Sequence, residues 1–234
     1  MRILVTRPQP DASGTAARLQ AAGHHALVDP MLIVEPLPGA RLPDGRFDAV
    51  ALTSVNGARA LMARTELQGL RDLPLYAVGR RTAAAAPEGF SSLYVAGGDG
   101  EALVALLREK LPRGSRILHV CGEDRAVDLG AALAGDGIEV ALFELYRARA
   151  AERFSPTTVA ALRGRQIDAA FHFSLRTATT VAECAHQAGV VAEFASIDHF
   201  CFSAGVAAPL IATGWRTHIA QTPTEEGLFA LLRR

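Results

Sequence analysis

The sequence shows no excess of charge of either sign. Lysine and arginine together number 24, as do aspartate and glutamate, so the formal net charge is zero. Proteins that bind nucleic acids generally carry a basic excess or a basic stripe. The charge balance therefore argues against a nucleic-acid partner and favours a small-molecule ligand.

Cysteine and long apolar runs are also scarce. The three cysteines, Cys121, Cys184 and Cys201, show no CxxC spacing, which argues against a zinc site and a disulfide framework. No apolar run approaches the ~18 residues of a transmembrane helix. The opening MRILVTRPQP is too short for the apolar part of a signal peptide. We therefore expect a cytoplasmic protein with reduced thiols, no membrane partner and no metal.

The common catalytic signatures are missing as well. The sequence contains no GxxxxGK[ST] phosphate loop, no GxSxG elbow and no HExxH motif. The run Gly97-Gly98-Asp99-Gly100 lacks the GxGxxG spacing of a dinucleotide site, so we interpret it as a turn. Glu183-x-x-His186 has metal-ligand spacing, but no second copy exists to complete a bridged site, which favours an ordinary exposed helix face.

What the sequence does contain is an internal repeat. The stretch FDAVALTSVNGARAL at 47–61 returns as IDAAFHFSLRTATTV at 167–181, and RILVT near the N-terminus returns as RILHV at 116–120. Each long copy is an apolar strand, then a serine, then a helix of small residues, as in buried parallel sheets. The repeated units follow in the order A (1–30), B (47–111), A′ (116–146), B′ (167–234).

This alternation predicts an α/β fold with two similar domains, each a parallel sheet flanked by helices. The proline-punctuated stretch MLIVEPLPGARLPDG after unit A is extended but unsuited to a central strand. The stretch at 142–150 mirrors it. The pattern leaves open whether A pairs with B or with B′.

Hydroxyl-bearing residues recur where strands pass into helices. Each of them is suited to capping its helix, but together they lie at the carboxyl ends of parallel strands, where open α/β sheets bind ligands. The set consists of Thr6, Thr53, Ser54, Thr82, Ser174, Thr177 and Ser203. Arg7 is the one cation at such a junction, unless it is an ordinary surface arginine. Tyr146 lies in the second extended stretch, where packing is the alternative role.

Taken in order, the motifs resemble uroporphyrinogen-III synthase across the whole chain. They are strand-TRP, FDAVALTSVNGARAL, AVGRRTAAA, ILHVCGEDRAVDL, ELYR, IDAAFHFS and GW with PTEEGL. The resemblance implies a discontinuous first domain (1–34 with 150–234), a continuous second domain (37–147) and a two-stranded linker (31–38 and 142–150). It therefore implies that A pairs with B′.

The resemblance also implies an activity. That family closes linear hydroxymethylbilane to uroporphyrinogen III with loss of water and inversion of the last ring, in porphyrin and heme biosynthesis. It uses no metal or organic cofactor. We expect a monomer that takes its substrate from hydroxymethylbilane synthase.

The resemblance places the ligand in a cleft and assigns Tyr146 as the candidate acid. The implied substrate-binding residues are Thr6, Arg7, Thr53, Ser54, Asn56, Gly79, Thr82, Ser174, Ser203 and Gly205. One departure occurs at Gly205-Val-Ala-Ala208, where Gly79-Arg-Arg-Thr82 has a hydroxyl at the fourth position. We expect Pro209, which follows, in a first helical turn.

Two alternatives belong to other classes. A non-catalytic bilobed protein that binds a tetrapyrrole-like molecule would show the same crossover pattern, although bilobed solute-binding proteins are generally exported. An NAD-dependent enzyme is disfavoured by the missing glycine fingerprint.

Overall fold

The structure, a computed structural model, describes residues 1–125 and 127–232; Ala126, within one of the motifs quoted above, and the last two residues lie outside the description. In chain order the strands are β1 (Arg2–Val5), β2 (His25–Val28), β3 (Leu32–Pro36), β4 (Ala49–Leu52), β5 (Pro74–Ala77), β6 (Ser92–Val95), β7 (Arg116–Gly122), β8 (Glu139–Ala150), β9 (Ala169–His172), β10 (Asp198–Cys201) and β11 (Thr217–Ile219).

Helices alternate with most of these strands. They are α1 (Asp11–Ala21), α2 (Val55–Met62), α3 (Leu67–Leu70), α4 (Arg80–Ala84), α5 (Gly100–Lys110), α6 (Leu129–Leu133), α7 (Pro156–Arg163), α8 (Leu175–Ala188), α9 (Val191–Ala195), α10 (Ala204–Ala212) and α11 (Glu225–Leu231), with a 3₁₀ turn at Ala134–Asp136.

The chain divides into two compact units. Unit 1 runs from Met1 to Ile33 and resumes at Arg149 for the rest of the described chain, and unit 2 runs from Val34 to Ala148. The chain passes from one unit to the other within β3 and returns within β8. That these units are the domains expected at 1–34 with 150–234 and at 37–147 stays a prediction.

Unit 1 contains a five-stranded sheet in the order β11-β10-β9-β1-β2. All its neighbouring strands are parallel, and β1 pairs with β9 in a register that places Ile3 beside Ala169. Unit A therefore pairs with unit B′, which confirms what the resemblance implied and settles the question that the repeat left open.

Unit 2 contains a six-stranded sheet in the order β3-β8-β7-β4-β5-β6. From β8 to β6 every pair is parallel, and Ile117 lies beside Ala49 in the register of its counterpart in unit 1. The proline-containing β3 forms an edge, where a missing N–H costs no ladder bond. The extended stretch at 142–150 is the later part of a single strand of 12 residues, β8.

The central strands are buried on both faces. In β4 all four residues are buried; Val50 and Leu52 join one apolar cluster, with Leu61 and Phe143, while Ala49 and Ala51 join another on the opposite face. Successive side chains point to opposite sides of a strand, so a parallel sheet covered by helices on both sides needs an uninterrupted apolar run. The run leaves polar positions only where the strand ends.

Candidate functional site

In unit 2, the first polar rim follows β4. Ser54 is the N-cap of α2, and its Oγ accepts a hydrogen bond of 2.9 Å from the backbone N–H of Gly57. Serine is favoured there because its oxygen satisfies an otherwise unpaired N–H of the first turn. Thr53, Ser54 and Asn56 are each partly exposed at this junction. The sequence therefore places three of the predicted residues together.

Tyr146 on β8 reaches the same rim. Its hydroxyl lies 2.8 Å from Ser54 Oγ, although 92 residues separate the two in the chain. The register of β7 and β8 shifts between Cys121 and Gly122, so Gly122 lies opposite Tyr146. A Cβ on Gly122 would come within 2.7 Å of the tyrosine ring. A bulge that redirects one side chain and a glycine beneath the ring together put the phenol beside Ser54.

The phenol of Tyr146 is a weak acid that keeps its proton at neutral pH. Only 9% of the residue is exposed, and burial raises its pKa above the ordinary value of 10.0, while the hydrogen bond to Ser54 acts in the opposite direction. A neutral phenol is a hydrogen-bond donor with a proton to transfer. The site can therefore supply general-acid assistance.

Next to this pair lies a buried histidine that the sequence interpretation passed over. His119 on β7 is fully buried, and its Nε2 is 2.9 Å from Thr53 Oγ1. Burial, together with the charge of Arg125, lowers the pKa of His119 to about 4, so the ring is neutral at pH 7. A signal was available, because RILHV carries histidine where the first copy, RILVT, has Val5.

Cys121 and the charged pair of Arg125 and Glu144 belong to the same region of unit 2 as Tyr146. Burial raises the pKa of the Cys121 thiol to about 11, so it is uncharged and unreactive at neutral pH. Arg125 binds the carboxylate of Glu144 and also donates to the carbonyl of Glu123. The phenol thus has an uncharged sulfur and an already paired arginine in its vicinity.

A groove of about 810 Å³ lies at the ends of β5 and β6 in the same unit. The predicted residues Gly79 and Thr82 line it, with Arg80, Arg81 and Gly98. Gly79 and Gly98 pass so close that a Cβ on Gly79 would lie 3.0 Å from Gly98 Cα. Thr82 itself is 5% exposed. Arg80 and Arg81 give this junction two cations that the sequence interpretation, which named Arg7 alone, passed over.

In unit 1, two of the predicted residues are engaged by the protein itself. Thr6 is fully buried and its hydroxyl donates to the carbonyl of Phe171 over 3.0 Å. Arg7 is 7% exposed, donates to Asp11 at 3.0 Å and stacks on the ring of Phe173 at 4.2 Å. The Thr6 contact joins the end of β1 to β9, and the Arg7 contacts hold the start of α1 against Phe173.

The remaining predicted residues of unit 1 lie at helix starts. Ser174 caps α8 through Thr177 N–H at 3.2 Å, and Ser203 caps α10 through Val206 N–H at 3.4 Å. A Cβ on Gly205 would lie 3.9 Å from Ser203 Oγ, an ordinary contact distance. Pro209 corrects an expectation: Ser203 starts the helix so early that the proline lies in the helix interior, not in its first turn.

Within the described residues, no group of three or more histidine, cysteine, aspartate or glutamate side chains is placed to hold a metal ion. The helices of the same residues include none that is both long and apolar enough to cross a bilayer. The polar groups at the two rims include hydroxyls, backbone N–H groups, guanidinium groups and the phenol of Tyr146.

Fold and rims define the class: an α/β protein of two repeated units that can hold a polar small molecule at strand ends and offer it a proton. The chain matches the family described as Uroporphyrinogen-III synthase HemD over residues 13–230. It belongs to the uroporphyrinogen-III synthase family. It is accordingly an enzyme of tetrapyrrole biosynthesis, a cyclising lyase.

Two solved structures share the fold. Uroporphyrinogen-III synthetase from Helicobacter pylori is 18% identical with a TM-score of 0.66, over 100% of this chain and 99% of that chain. A mutant uroporphyrinogen III synthase from Thermus thermophilus is 18% identical with a TM-score of 0.57, over 100% of this chain and 98% of that chain. At this identity the likeness shows the fold alone.

Proposed function

We propose that this chain closes hydroxymethylbilane to uroporphyrinogen III, with inversion of the last ring, and that Tyr146 is its general acid. The observation that carries this role is the protonated phenol at the rim of unit 2, fixed 2.8 Å from Ser54. Family membership supports the substrate, and the raised pKa of Tyr146 supports a group that enters the reaction with its proton.

The proton step balances without any other reagent. Tyr146 transfers its proton to the hydroxyl of the substrate's hydroxymethyl group, the carbon–oxygen bond breaks with its electron pair on oxygen, and water leaves. The substituted carbon of the last ring attacks the carbon left behind, and the spiro intermediate rearranges. The proton lost from that ring on closure returns to the phenolate. General-acid help of this kind contributes typically ~10²–10⁴-fold.

We propose that the carboxylates of the substrate are held at the rims. In unit 2 the side chains of Thr53, Asn56 and Thr82 and the backbone N–H groups of Ser54 and Gly79 serve this purpose. In unit 1 the corresponding groups are those of Ser174, Ser203 and Gly205. N–H groups at helix starts carry partial positive charge. Thr6 and Arg7, which are bound to the protein, would act by positioning α1 and the end of β1.

The proposal extends to the setting of the enzyme. Hydroxymethylbilane closes unaided to the wrong isomer, so an enzyme that receives it directly from hydroxymethylbilane synthase loses less substrate. We propose such a transfer, to a monomeric cytoplasmic enzyme whose two units are its domains. Light scattering of the enzyme alone tests whether it is a monomer, and light scattering of its mixture with the synthase tests whether the two enzymes bind each other.

The test of the chemistry is Tyr146→Phe, which removes the proton donor and keeps the ring. We expect turnover to fall by ~100-fold or more with the fold intact. Product should remain isomer III, because the bound shape of the substrate determines which carbon attacks. Turnover at the wild-type rate would remove Tyr146 from the mechanism, and a change to isomer I would show that it steers the substrate instead.

A further inference from the structure

The hydroxyl of Ser54 has two neighbours that compete for its single proton and its lone pairs. Gly57 N–H lies 2.9 Å from Ser54 Oγ and can only donate. Tyr146 OH lies 2.8 Å away and can donate or accept. A serine hydroxyl has one proton to donate and two acceptor lone pairs. With one lone pair taken by Gly57, the serine proton remains available for the phenol oxygen.

From this geometry we propose that Ser54 is a positioning residue that donates its hydroxyl proton to Tyr146. This inference rests on the proposed role of Tyr146 as the acid. When Ser54 donates, the proton of Tyr146 points away from Ser54 and toward the exposed side of the rim, ready for the leaving hydroxyl. When Tyr146 has lost its proton, the same hydrogen bond becomes charge-assisted and stronger. Ser54 therefore acts through the tyrosine and makes it a better acid.

Two glycines, Gly57 and Gly122, leave the space in which Ser54 and Tyr146 meet. A Cβ on Gly57 would come 3.2 Å from Ser54 Oγ and 3.0 Å from the carbonyl oxygen of Val120. The absence of that carbon lets α2 start close to β7. Gly122 likewise clears the space for the tyrosine ring. Two glycines thus permit an approach that a larger side chain at either position would disturb.

The second copy of the repeat shows that capping does not require this arrangement. Ser174 caps α8 as Ser54 caps α2, but its hydroxyl lies 2.8 Å from Thr177 Oγ1, a neighbour on its own helix. All three tyrosines of the sequence, Tyr76, Tyr94 and Tyr146, lie in unit 2. The contact between a cap serine and a tyrosine is therefore an addition to the shared junction.

The titration of Tyr146 responds to few other groups. Cys121 on β7 and Asp124 after it both raise the pKa, although burial has the largest effect; only the hydrogen bond from Ser54 lowers it. Nearby, Arg125 is bound to Glu144. Removal of the Ser54 hydroxyl should therefore raise the pKa of the phenol and leave the other influences unchanged.

The experiment compares Ser54→Ala, Tyr146→Phe, the double variant and Ser155→Ala. Ser155 is a matched control because it caps α7, which has eight residues as α2 has, and lies outside the proposed site. We expect Ser54→Ala to lower kcat by ~10-fold, the size of one stronger hydrogen bond to a charged group, with KM nearly unchanged. Added to Tyr146→Phe, it should lower kcat no further. Ser155→Ala should lower the free energy of unfolding by about as much as Ser54→Ala does, since each removes a helix cap, and it should leave kcat unchanged.

A spectroscopic titration gives a second readout that loss of a helix cap alone would not move. The tyrosinate absorbance of wild type minus that of Tyr146→Phe isolates the phenol, and Ser54→Ala should shift this curve to higher pH. An unshifted curve, or an equal loss of kcat with and without Tyr146, would overturn the inference. A low kcat in Tyr146→Phe together with a wild-type kcat in Ser54→Ala would overturn this inference and leave the proposed role of Tyr146 in place. Wild-type turnover in Tyr146→Phe would overturn the proposed function with it.

Discussion

The junction after β4 in unit 2 and the junction after β9 in unit 1 are two copies of one motif with the same backbone connections. At the start of each, an aspartate accepts a hydrogen bond of 2.7 Å from an arginine backbone N–H on the neighbouring strand, Asp48 from Arg116 and Asp168 from Arg2. Since the strand registers also correspond, the frames of the two rims are equivalent.

Their side chains differ at the strand ends. Where unit 2 has Thr53 bonded to His119, unit 1 has Phe173, which supports the guanidinium of Arg7. Where unit 2 has Gly57, unit 1 has Thr177, whose hydroxyl is hydrogen-bonded to the hydroxyl of the cap residue Ser174. The rim of unit 1 therefore satisfies its polar groups internally, while that of unit 2 directs a serine to a phenol. The two copies share a frame and differ in the side chains around the cap serine.

The largest expected difference between the units appears in acid. In unit 1, burial lowers the pKa of His199 to about 4 and also lowers the pKa of His172, to which His199 is hydrogen-bonded. In unit 2, burial lowers the pKa of His119 to about 4. Such groups stabilise the fold fully above the ordinary pKa of 6.5, and the contribution is lost as pH falls toward about 4. Each histidine with a pKa near 4 should cost about 2 kcal/mol at pH 5.

Unit 1 should therefore weaken more than unit 2. Trp215, the only tryptophan of the sequence, stacks on His199 with 4.8 Å between the ring centroids. Its fluorescence during urea unfolding therefore reports on unit 1. Amide hydrogen exchange of β4 and β7 follows unit 2. Equal losses of protection in both units between neutral pH and pH 5 would contradict the expected difference.

A second prediction concerns the glycine beneath the tyrosine, which distinguishes the rim of unit 2. Gly122→Ala places a methyl 2.7 Å from the ring of Tyr146, so the ring must move. Displacement of a reacting group by about 1 Å can cost ~100-fold in turnover. Gly14→Ala, with no atom within 4 Å of its Cβ position, is the control and should retain full turnover. Wild-type turnover in Gly122→Ala would show that the position of the ring is not critical.

The smallest expected effect is that of Thr53→Val, which makes this one position apolar, as Phe173 makes it in unit 1. His119 would lose the bond from Nε2, and its Nδ1 is already buried without a partner among the described residues. An unsatisfied buried group costs ~1–3 kcal/mol. Thr180→Val, which removes a hydroxyl that donates to the Arg176 carbonyl within α8, should cost less. Urea unfolding followed by circular dichroism measures both, and equal losses would show that the His119 contact adds nothing.

Local features of the fold could be predicted from the sequence because they depend on neighbouring residues. The four-residue strand β4, the serine that caps α2 and the edge position of β3 follow from an apolar run, a hydroxyl and a proline. The error lies where two local rules conflict. Pro209 looked like a first-turn residue, but the Ser203 cap starts α10 at Ala204, so the proline lies in the helix interior.

By itself the sequence determined the repeated units, their α/β character and the residue types at each strand end, since hydrophobic periodicity and capping act over a few residues. Only the tertiary structure decided that β1 lies beside β9, that Ser54 meets Tyr146 across 92 residues, and that Arg7 stacks on Phe173. Such contacts depend on strand order, on a one-residue bulge and on space left by glycines. Backbone packing of segments distant in the chain sets all three, and the local pattern contains no signal for it.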